Sequence, residues 1–213
     1  GFSQQAIDLE HRVGWITTEQ ERNGFKLDVP FAEKLMMDLM FEMNNIEASL
    51  QDIFPPIIEE RWSEKTGKRL KDKVTVFNPG SRKQIAERLQ SLGIKFDKKT
   101  EKGNIIVDEK VLDGIDRPEA KAVARYMMLQ KRVAQIDSWL KAVKDDGRVH
   151  GRVITNGAVT GRMTHQSPNM AQVPAVSAPF GTECRSCWTV EEGNVLVGID
   201  ASGLELRMLA HYM

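Results

Sequence analysis

The strongest constraint on the fold is a change in the character of the sequence near residue 147. Before it, apolar residues recur at three- and four-residue spacing in stretches rich in Lys, Glu, Gln and Met, which is the pattern of amphipathic helices. After it, Gly, Pro, Thr, Asn and Val become prominent, and no long helical pattern returns until about the last dozen residues. The sequence therefore predicts an α+β fold, with a helical part at 1–146 and a sheet-containing part at 147–213.

Three long helices are predicted in the helical part. The first covers residues 4–24 and ends at a glycine, the residue that most readily adopts the left-handed conformation beyond a helix C-terminus. The second covers 31–53, and its methionine-rich apolar stripe is interpreted as core packing, because methionine fills irregular gaps. The third begins at Pro118, which is favourable in a first helical turn, and keeps its period to about residue 144.

The charge of the chain is balanced overall and uneven locally. There are 30 basic and 30 acidic residues, and this balance taken alone argues weakly against nucleic-acid binding. However, residues 61–73 carry six basic residues and two acidic ones, and residues 148–185 carry four arginines and one glutamate. Clusters of this kind are typical of a surface that contacts a polyanion.

The arginine-rich segment also contains amides at a suggestive spacing. Arg162 follows Thr160 and Gly161, where a glycine lets another molecule approach the backbone closely, and Asn169 and Gln172 come soon after. Guanidinium and amide groups can bind the acceptors that all base pairs share in the minor groove. The alternative is an ordinary loop in which arginine and asparagine side chains cap the backbone.

A short apolar run near the C-terminal end leads into an acidic residue. Val195–Ile199 has the length of a buried strand, and Asp200 follows it directly. A carboxylate in this position is a candidate ligand for Mg²⁺; the alternative is an aspartate that accepts hydrogen bonds from backbone N–H groups at a helix entry. Ser202 and Glu205 have the spacing of an S-x-x-E capping box, so Glu205 has a structural explanation as well as a functional one.

Several other classes of protein are disfavoured. Cys184 and Cys187 are the two cysteines, too few for a disulfide framework. A zinc site would need a second pair of ligands at a suitable spacing. No P-loop, Gly-x-Ser-x-Gly or His-Glu-x-x-His pattern occurs. With no long apolar run and no leader pattern, we expect a soluble cytoplasmic protein that does not associate with membranes.

Residues 200–207 read DASGLELR, and they resemble motif A of the family A (Pol I-like) DNA polymerases. Residues 160–162 and 167–174 resemble the segment that precedes motif A in that family. The wording is closest to the phage branch that includes the thioredoxin-dependent replicases, which implies the host-cell cytoplasm as the location. Three upstream segments resemble parts of the polymerase thumb: 21–28, 76–82 and 128–132.

The resemblance implies a thumb at 1–146 and the first part of a palm at 147–213, with antiparallel strands and one helix. It implies that Asp200 binds both catalytic Mg²⁺ ions and that Glu205 belongs to the gate that excludes ribonucleotides. The remaining roles that it implies are contacts with primer–template DNA. These fall on Thr160, Arg162, Asn169 and Gln172 near the growing end, and on Lys131 and Arg132 at a phosphate site of the thumb.

The sequence also departs from the family pattern. It ends just after motif A, before the fingers helix that grips the incoming dNTP and before the second metal-binding aspartate. We therefore expect the chain alone to be inactive in primer extension, as a truncated polymerase or as one half of a split polymerase that needs a C-terminal part. A non-catalytic primer–template binding module is the competing hypothesis.

A second departure concerns the thumb. Thioredoxin-dependent relatives carry a long thumb insertion, whereas here only about twenty residues, from 53 to 75, separate the relevant helices. Their basic character suits direct contact with duplex phosphates through Lys68, Arg69 and Lys71. This speaks against thioredoxin as a partner.

Overall fold

The computed structural model of the protein describes residues 2–101, 103 and 105–213. The chain divides into two compact units, one formed by residues 1–28 and 142–213 and the other by residues 29–141. The thumb–palm boundary at residue 146, which comes from the family resemblance, stays a prediction.

Helices and antiparallel strands both occur along the whole chain. The helices are α1 (Gln4–Asn23), α2 (Val29–Ile53), α3 (Arg82–Ser91), α4 (Glu109–Asp113), α5 (Pro118–Ala142), α6 (Gly181–Ser186) and α7 (Leu204–Tyr212), with a 3₁₀ turn at Met170–Gln172. The strands are β1 (Phe25–Leu27), β2 (Ile57–Trp62), β3 (Arg69–Thr75), β4 (Arg148–Val149), β5 (Arg152–Ile154), β6 (Thr164–Gln166) and β7 (Trp188–Thr189). The three predicted long helices are confirmed within a few residues, and so is the α+β class.

The first unit is organised around a small antiparallel sheet of order β4-β1-β7. Phe25 pairs with Val149, and Leu27 pairs with Trp188. Strand β1 therefore joins two segments that lie more than a hundred residues later in the sequence. A second antiparallel pair, β5 with β6, carries the loop that is described below.

The end of α1 fixes where β1 begins. Gly24 has φ +62°, and its N–H donates to the Gln20 carbonyl at 2.9 Å. A Cβ added at Gly24 would lie 2.9 Å from the His150 ring, so this site needs glycine both for its conformation and for its space. The His150 Nδ1 atom lies 2.7 Å from the Glu21 carbonyl oxygen, which holds this side chain against the last turn of α1.

The second unit contains the main hydrophobic cluster. Leucines of α2 and α3, aromatic side chains of the connection between them and the apolar face of α5 are buried together, and the Phe54 and Phe77 rings lie 4.7 Å apart. Two polar contacts hold the connection: Gln51 donates to the Phe77 carbonyl at 2.7 Å, and Arg88 donates to the Pro55 carbonyl at 2.7 Å. Only some residues of the predicted methionine stripe of α2 contribute to this core. Met43 packs on the cluster, whereas Met40 is 39% exposed.

A β-hairpin stands between α2 and α3 where the sequence had indicated only a basic stretch. Strands β2 and β3 pair in antiparallel register, with Ile58 opposite Val74 and Trp62 opposite Arg69, and the register shifts between Glu59 and Arg61. All six residues of β2 are exposed. The hairpin is therefore held by its own backbone hydrogen bonds rather than by burial.

One predicted strand is wrong. Val195–Ile199 forms no strand, and its large apolar side chains are 57–94% exposed. A strand forms only when a neighbour pairs with it, and within residues 2–101, 103 and 105–213 no strand pairs with this run. The same part of the chain contains no helix that is long and apolar enough to cross a membrane.

Candidate functional site

The loop between β5 and β6 presents the first predicted site residue. Within it, the Ala158 N–H donates to the Arg162 carbonyl at 3.1 Å, and Gly161 donates back to Ala158 at 2.9 Å. Gly161 has φ +75°, and a Cβ on Gly157 would overlap the Thr164 side chain. The two glycines allow a tight turn from which the Arg162 side chain projects, 74% exposed. Thr160 is exposed in the same turn.

Arg162 meets the predicted gate residue. Its Nη2 atom lies 3.4 Å from the Glu205 Oε1 atom, and both side chains are largely exposed. The structure thus brings together two sequence segments that the family resemblance had singled out separately. An ion pair this exposed contributes little to stability, so both groups remain able to exchange partners.

The predicted capping box at the start of α7 is wrong. The helix begins at Leu204, its N-cap residue is Gly203 with φ +61°, and no side chain caps it. Because the left-handed Gly203 starts the helix one residue later than the S-x-x-E spacing requires, Ser202 falls outside the helix and Glu205 occupies its second position. The capping-box explanation for Glu205 is thereby removed, and what remains is the general effect of an acidic side chain in a first helical turn.

Asp200 lies in the irregular stretch before α7 and is exposed. No hydrogen bond or ion pair to its carboxylate occurs within the described part of the chain. Exposed carboxylate oxygens are suitable ligands for Mg²⁺, so the side chain fits the role of one ligand. In the same part of the chain, no group of three or more His, Cys, Asp or Glu residues is placed to hold a metal ion.

The two predicted amides differ in their surroundings. Asn169 is the N-cap of the 3₁₀ turn, and its Oδ1 atom accepts from the Ala171 N–H at 3.1 Å. The capping alternative therefore holds for the asparagine oxygen. The amide nitrogen is a donor, which is the group needed to bind minor-groove acceptors. Gln172 ends the same turn with an exposed side chain.

Two of the arginines that gave the segment its positive charge are structural. The Arg148 Nη2 atom donates to both carboxylate oxygens of Glu191, at 2.8 and 2.9 Å, and its Nη1 atom donates to the carbonyls of Asn23 and Gly24. Arg185 donates to the Pro174 carbonyl at 2.8 Å. The charge count of this segment therefore overstates how much positive charge faces solvent.

In the second unit, two motif segments lie side by side. A Cβ added at Gly80 would lie 3.2 Å from the Gln130 Nε2 atom, so the turn at 78–80 contacts the middle of α5. The next residue, Lys131, is exposed, whereas Arg132 is only 9% exposed. Of the two predicted phosphate contacts, Lys131 is the accessible one.

The three basic residues predicted on the hairpin are not equivalent. Arg69 pairs with Glu60 at 3.6 Å and with Asp72 at 3.2 Å. Lys68 and Lys71 are exposed, and neither makes an ion pair within the described residues. Of these three predicted residues, the two lysines are therefore the ones whose positive charge is available to an anion.

The two cysteine side chains are buried. Cys184 and Cys187 are free thiols with no exposed surface. Burial raises the pKa of the Cys187 thiol to about 12, and the neighbouring Cys184 and Asp28 act in the same direction. Because the thiolate is the form that binds metals and attacks disulfides, this environment opposes a zinc or redox role.

A family model described as DNA polymerase family A matches residues 58–213, well over half of the chain. The chain belongs to DNA polymerase family A. This confirms the resemblance drawn from motif A and its neighbouring segments, and it places the chain in a nucleotidyltransferase family.

The sequence relatives of this family A chain include phage enzymes. The DNA-directed DNA polymerases of Escherichia phage T7 and Enterobacteria phage T3 are each 35% identical over 279 aligned residues, which cover 99% of this chain and 40% of the relative. DNA polymerase I of Helicobacter pylori strain J99 is 29% identical over 212 residues, covering 97% of this chain and 21% of the relative. The chain thus spans less than half the length of these relatives.

A solved polymerase structure has the same fold. The chain matches the POL domain of Pol1 from M. smegmatis, in a complex with DNA primer–template and dNTP, with a TM-score of 0.73 and 20% identity. The match covers 92% of this chain and 32% of that one. It confirms the helical and antiparallel architecture predicted from the sequence.

Proposed function

We propose that this family A chain is the part of a DNA polymerase that grips primer–template DNA and supplies one of the two metal-binding aspartates for nucleotidyl transfer. The observation that carries the proposal is the Arg162–Glu205 contact at 3.4 Å. This contact joins the turn at 157–162, which precedes motif A, to Glu205 of motif A. A primer end bound at Arg162 would then lie close to the helix that follows Asp200.

Asp200 would be one ligand of the catalytic Mg²⁺ ions. When bound, two such ions stabilise the attacking 3′ oxygen and the leaving pyrophosphate. The chain's own contribution is an exposed carboxylate placed ahead of α7. One carboxylate does not hold two ions in a defined geometry, which supports the proposal that this chain alone is inactive and that a further C-terminal polymerase part completes the site for the dNTP.

Arg162, Asn169 and Gln172 would contact the minor groove near the primer end, with Thr160 in the same turn. Donor groups suit this task, because the minor groove offers acceptors at every base pair. The cap at Asn169 supports the proposal, since it occupies the side-chain oxygen and not the amide nitrogen.

Lys131 on α5 and the lysines of the β2–β3 hairpin would bind backbone phosphates. Lys68 and Lys71 are the better candidates on the hairpin, because Arg69 already has two acidic partners. We also propose that thioredoxin is not a partner. The phage relatives align over 279 residues against the 213 of this chain, so they carry stretches that this chain lacks.

The hairpin contacts can be tested through the salt dependence of DNA binding. The double variant Lys68→Gln/Lys71→Gln is expected to lower the slope of log K against log salt by up to about 1.8, since each phosphate contact contributes about 0.9 for duplex DNA. Arg69→Gln should change the slope less. Fluorescence anisotropy with a labelled primer–template across a salt series measures this.

A matched control removes the same charge from neutralised positions. Lys34 and Lys141 are exposed and paired with aspartates four residues away, at 2.7 and 2.6 Å. The variant Lys34→Gln/Lys141→Gln should leave the slope nearly unchanged. If the hairpin double variant gives the same slope as the wild-type chain, the hairpin does not contact phosphates.

A further inference from the structure

The tip of the β2–β3 hairpin, residues 62–69, exposes an aromatic ring. Trp62 is 58% exposed, whereas Trp139 of α5 is fully buried in the same unit. On the same hairpin Ile58 is 65% exposed and Val74, its cross-strand partner, 57%. Isolated hairpins are marginally stable, and leaving large apolar groups in water adds a further cost. Such exposed groups often mark a binding surface.

The charges around this ring are positive on balance. The acidic side chains of the strands are paired: Glu59 with Lys73 at 2.9 Å, and Glu60 and Asp72 with Arg69. At and beside the tip, Lys65, Lys68 and Lys71 make no ion pair within the described residues, and Glu64 is the one acidic residue there without a pair in that same part of the chain. The unpaired charge that remains available to a ligand at the tip is therefore positive.

An exposed indole beside unpaired lysines fits a single-stranded nucleic acid. Ammonium groups bind phosphates, and an aromatic ring offers a face on which any of the four bases can stack. A duplex hides the faces of all bases except those at its ends, so along the strand an indole gains stacking energy from unpaired bases. An acidic protein would satisfy the lysines, but its acidic side chains offer no planar face to the indole, whereas every base of a single strand does.

We propose that the hairpin tip is a stacking site for an unpaired base of single-stranded DNA, with Trp62 as the platform and Lys65 and Lys68 on the flanking phosphates. This inference rests on the proposed function, and it adds a contact with unpaired template to the contacts with duplex. It names a residue, Trp62, to which neither the family resemblance nor the charge count assigned a role.

The test compares affinities for an oligo-dT strand and for a blunt duplex, measured by anisotropy with the 213-residue chain. Trp62→Ala is expected to weaken oligo-dT binding about 5- to 150-fold, the range for loss of one base–aromatic stack, and to change duplex binding less than about twofold. Trp62→Phe should retain most of the affinity, since a smaller aromatic face remains. Trp15→Ala is the matched control, because Trp15 is 68% exposed on α1.

Intrinsic fluorescence gives an independent readout. Oligo-dT should quench part of the emission of the wild-type chain, and Trp62→Phe should lose that quenching while the other three tryptophans remain. The proposal is overturned if Trp62→Ala binds oligo-dT like the wild type, if Trp15→Ala loses as much affinity, or if duplex binding falls equally. Failure of the chain to bind primer–template at all would instead refute the proposed function.

Discussion

Replacing Asp200 with alanine is expected to abolish primer extension by a polymerase in which the rest of a catalytic domain completes this chain. The expected loss is at least about a thousandfold, because a bound metal ion stabilises charge in the transition state by several kcal/mol and each 1.4 kcal/mol is tenfold in rate. Primer–template affinity should not fall, since Asp200 is an anionic group and bears no predicted DNA contact. Single-turnover extension and anisotropy measure the two effects separately.

Glu192→Ala is a suitable control for Asp200→Ala. Glu192 is an exposed carboxylate in the same irregular stretch, and it lies outside motif A. Its replacement should leave extension within about twofold of the wild type. If Asp200→Ala retains full activity in the completed enzyme, Asp200 is not a metal ligand, and the competing hypothesis of a non-catalytic DNA-binding module gains support.

Replacing Glu205 with alanine is expected to relax the exclusion of ribonucleotides by about 10- to 100-fold. The reason is steric: removing the side chain opens the space that a 2′-OH would occupy, and discrimination against one added hydroxyl by shape alone is of this order. Competition between a dNTP and the matching rNTP in the completed enzyme measures the ratio of kcat/KM values.

Glu205→Gln separates the size of the side chain from its charge. It removes the charge that pairs with Arg162 but keeps nearly the same volume, so a gate that acts by volume should still exclude ribonucleotides. Because Gly203 rather than Ser202 is the N-cap of α7, Glu205→Ala should cost little helix stability. Unchanged sugar selection together with a lowered unfolding temperature would show that Glu205 has only a structural role.

The helices could be predicted from the sequence because their signals are local. The end of α1 depends on Gly24, which the sequence displays directly, and the period of α5 follows from residues three and four positions apart. The strands were harder. β1 pairs with β4 and β7, which lie more than a hundred residues away. No sequence pattern near residues 25–27 indicates those partners.

The errors near the C-terminal end have physical reasons. An apolar run such as Val195–Ile199 has the composition of a strand, but its backbone forms one only beside a partner. The S-x-x-E spacing at Ser202 and Glu205 fits a capping box in sequence, but the left-handed Gly203 shifts the helix start by one residue. Both outcomes depend on backbone geometry that spacing does not encode.

The candidate site was predicted in part. The resemblance to the family motifs identified Arg162 and Glu205, but only the folded chain shows that they are in contact. Charge counting treated all arginines alike, although Arg148 is neutralised by Glu191, 43 residues away. Trp62 was missed because an aromatic residue in a short basic stretch gives no sign of its exposure. A search for aromatic residues next to clusters of basic residues would have found it, since Trp62 follows Arg61 and precedes Lys65 and Lys68.

The central claim is that this chain binds primer–template DNA while holding only part of a polymerase site. The most direct measurement incubates the purified 213-residue chain with labelled primer–template, Mg²⁺ and all four dNTPs, and follows binding by anisotropy and extension on a denaturing gel. The Asp200→Ala chain, purified identically, identifies extension by a contaminating polymerase. We predict that the chain binds primer–template in a salt-dependent way and that it does not extend the primer. Extension by the wild-type chain that the Asp200→Ala chain lacks, or no binding at low salt, would contradict the account.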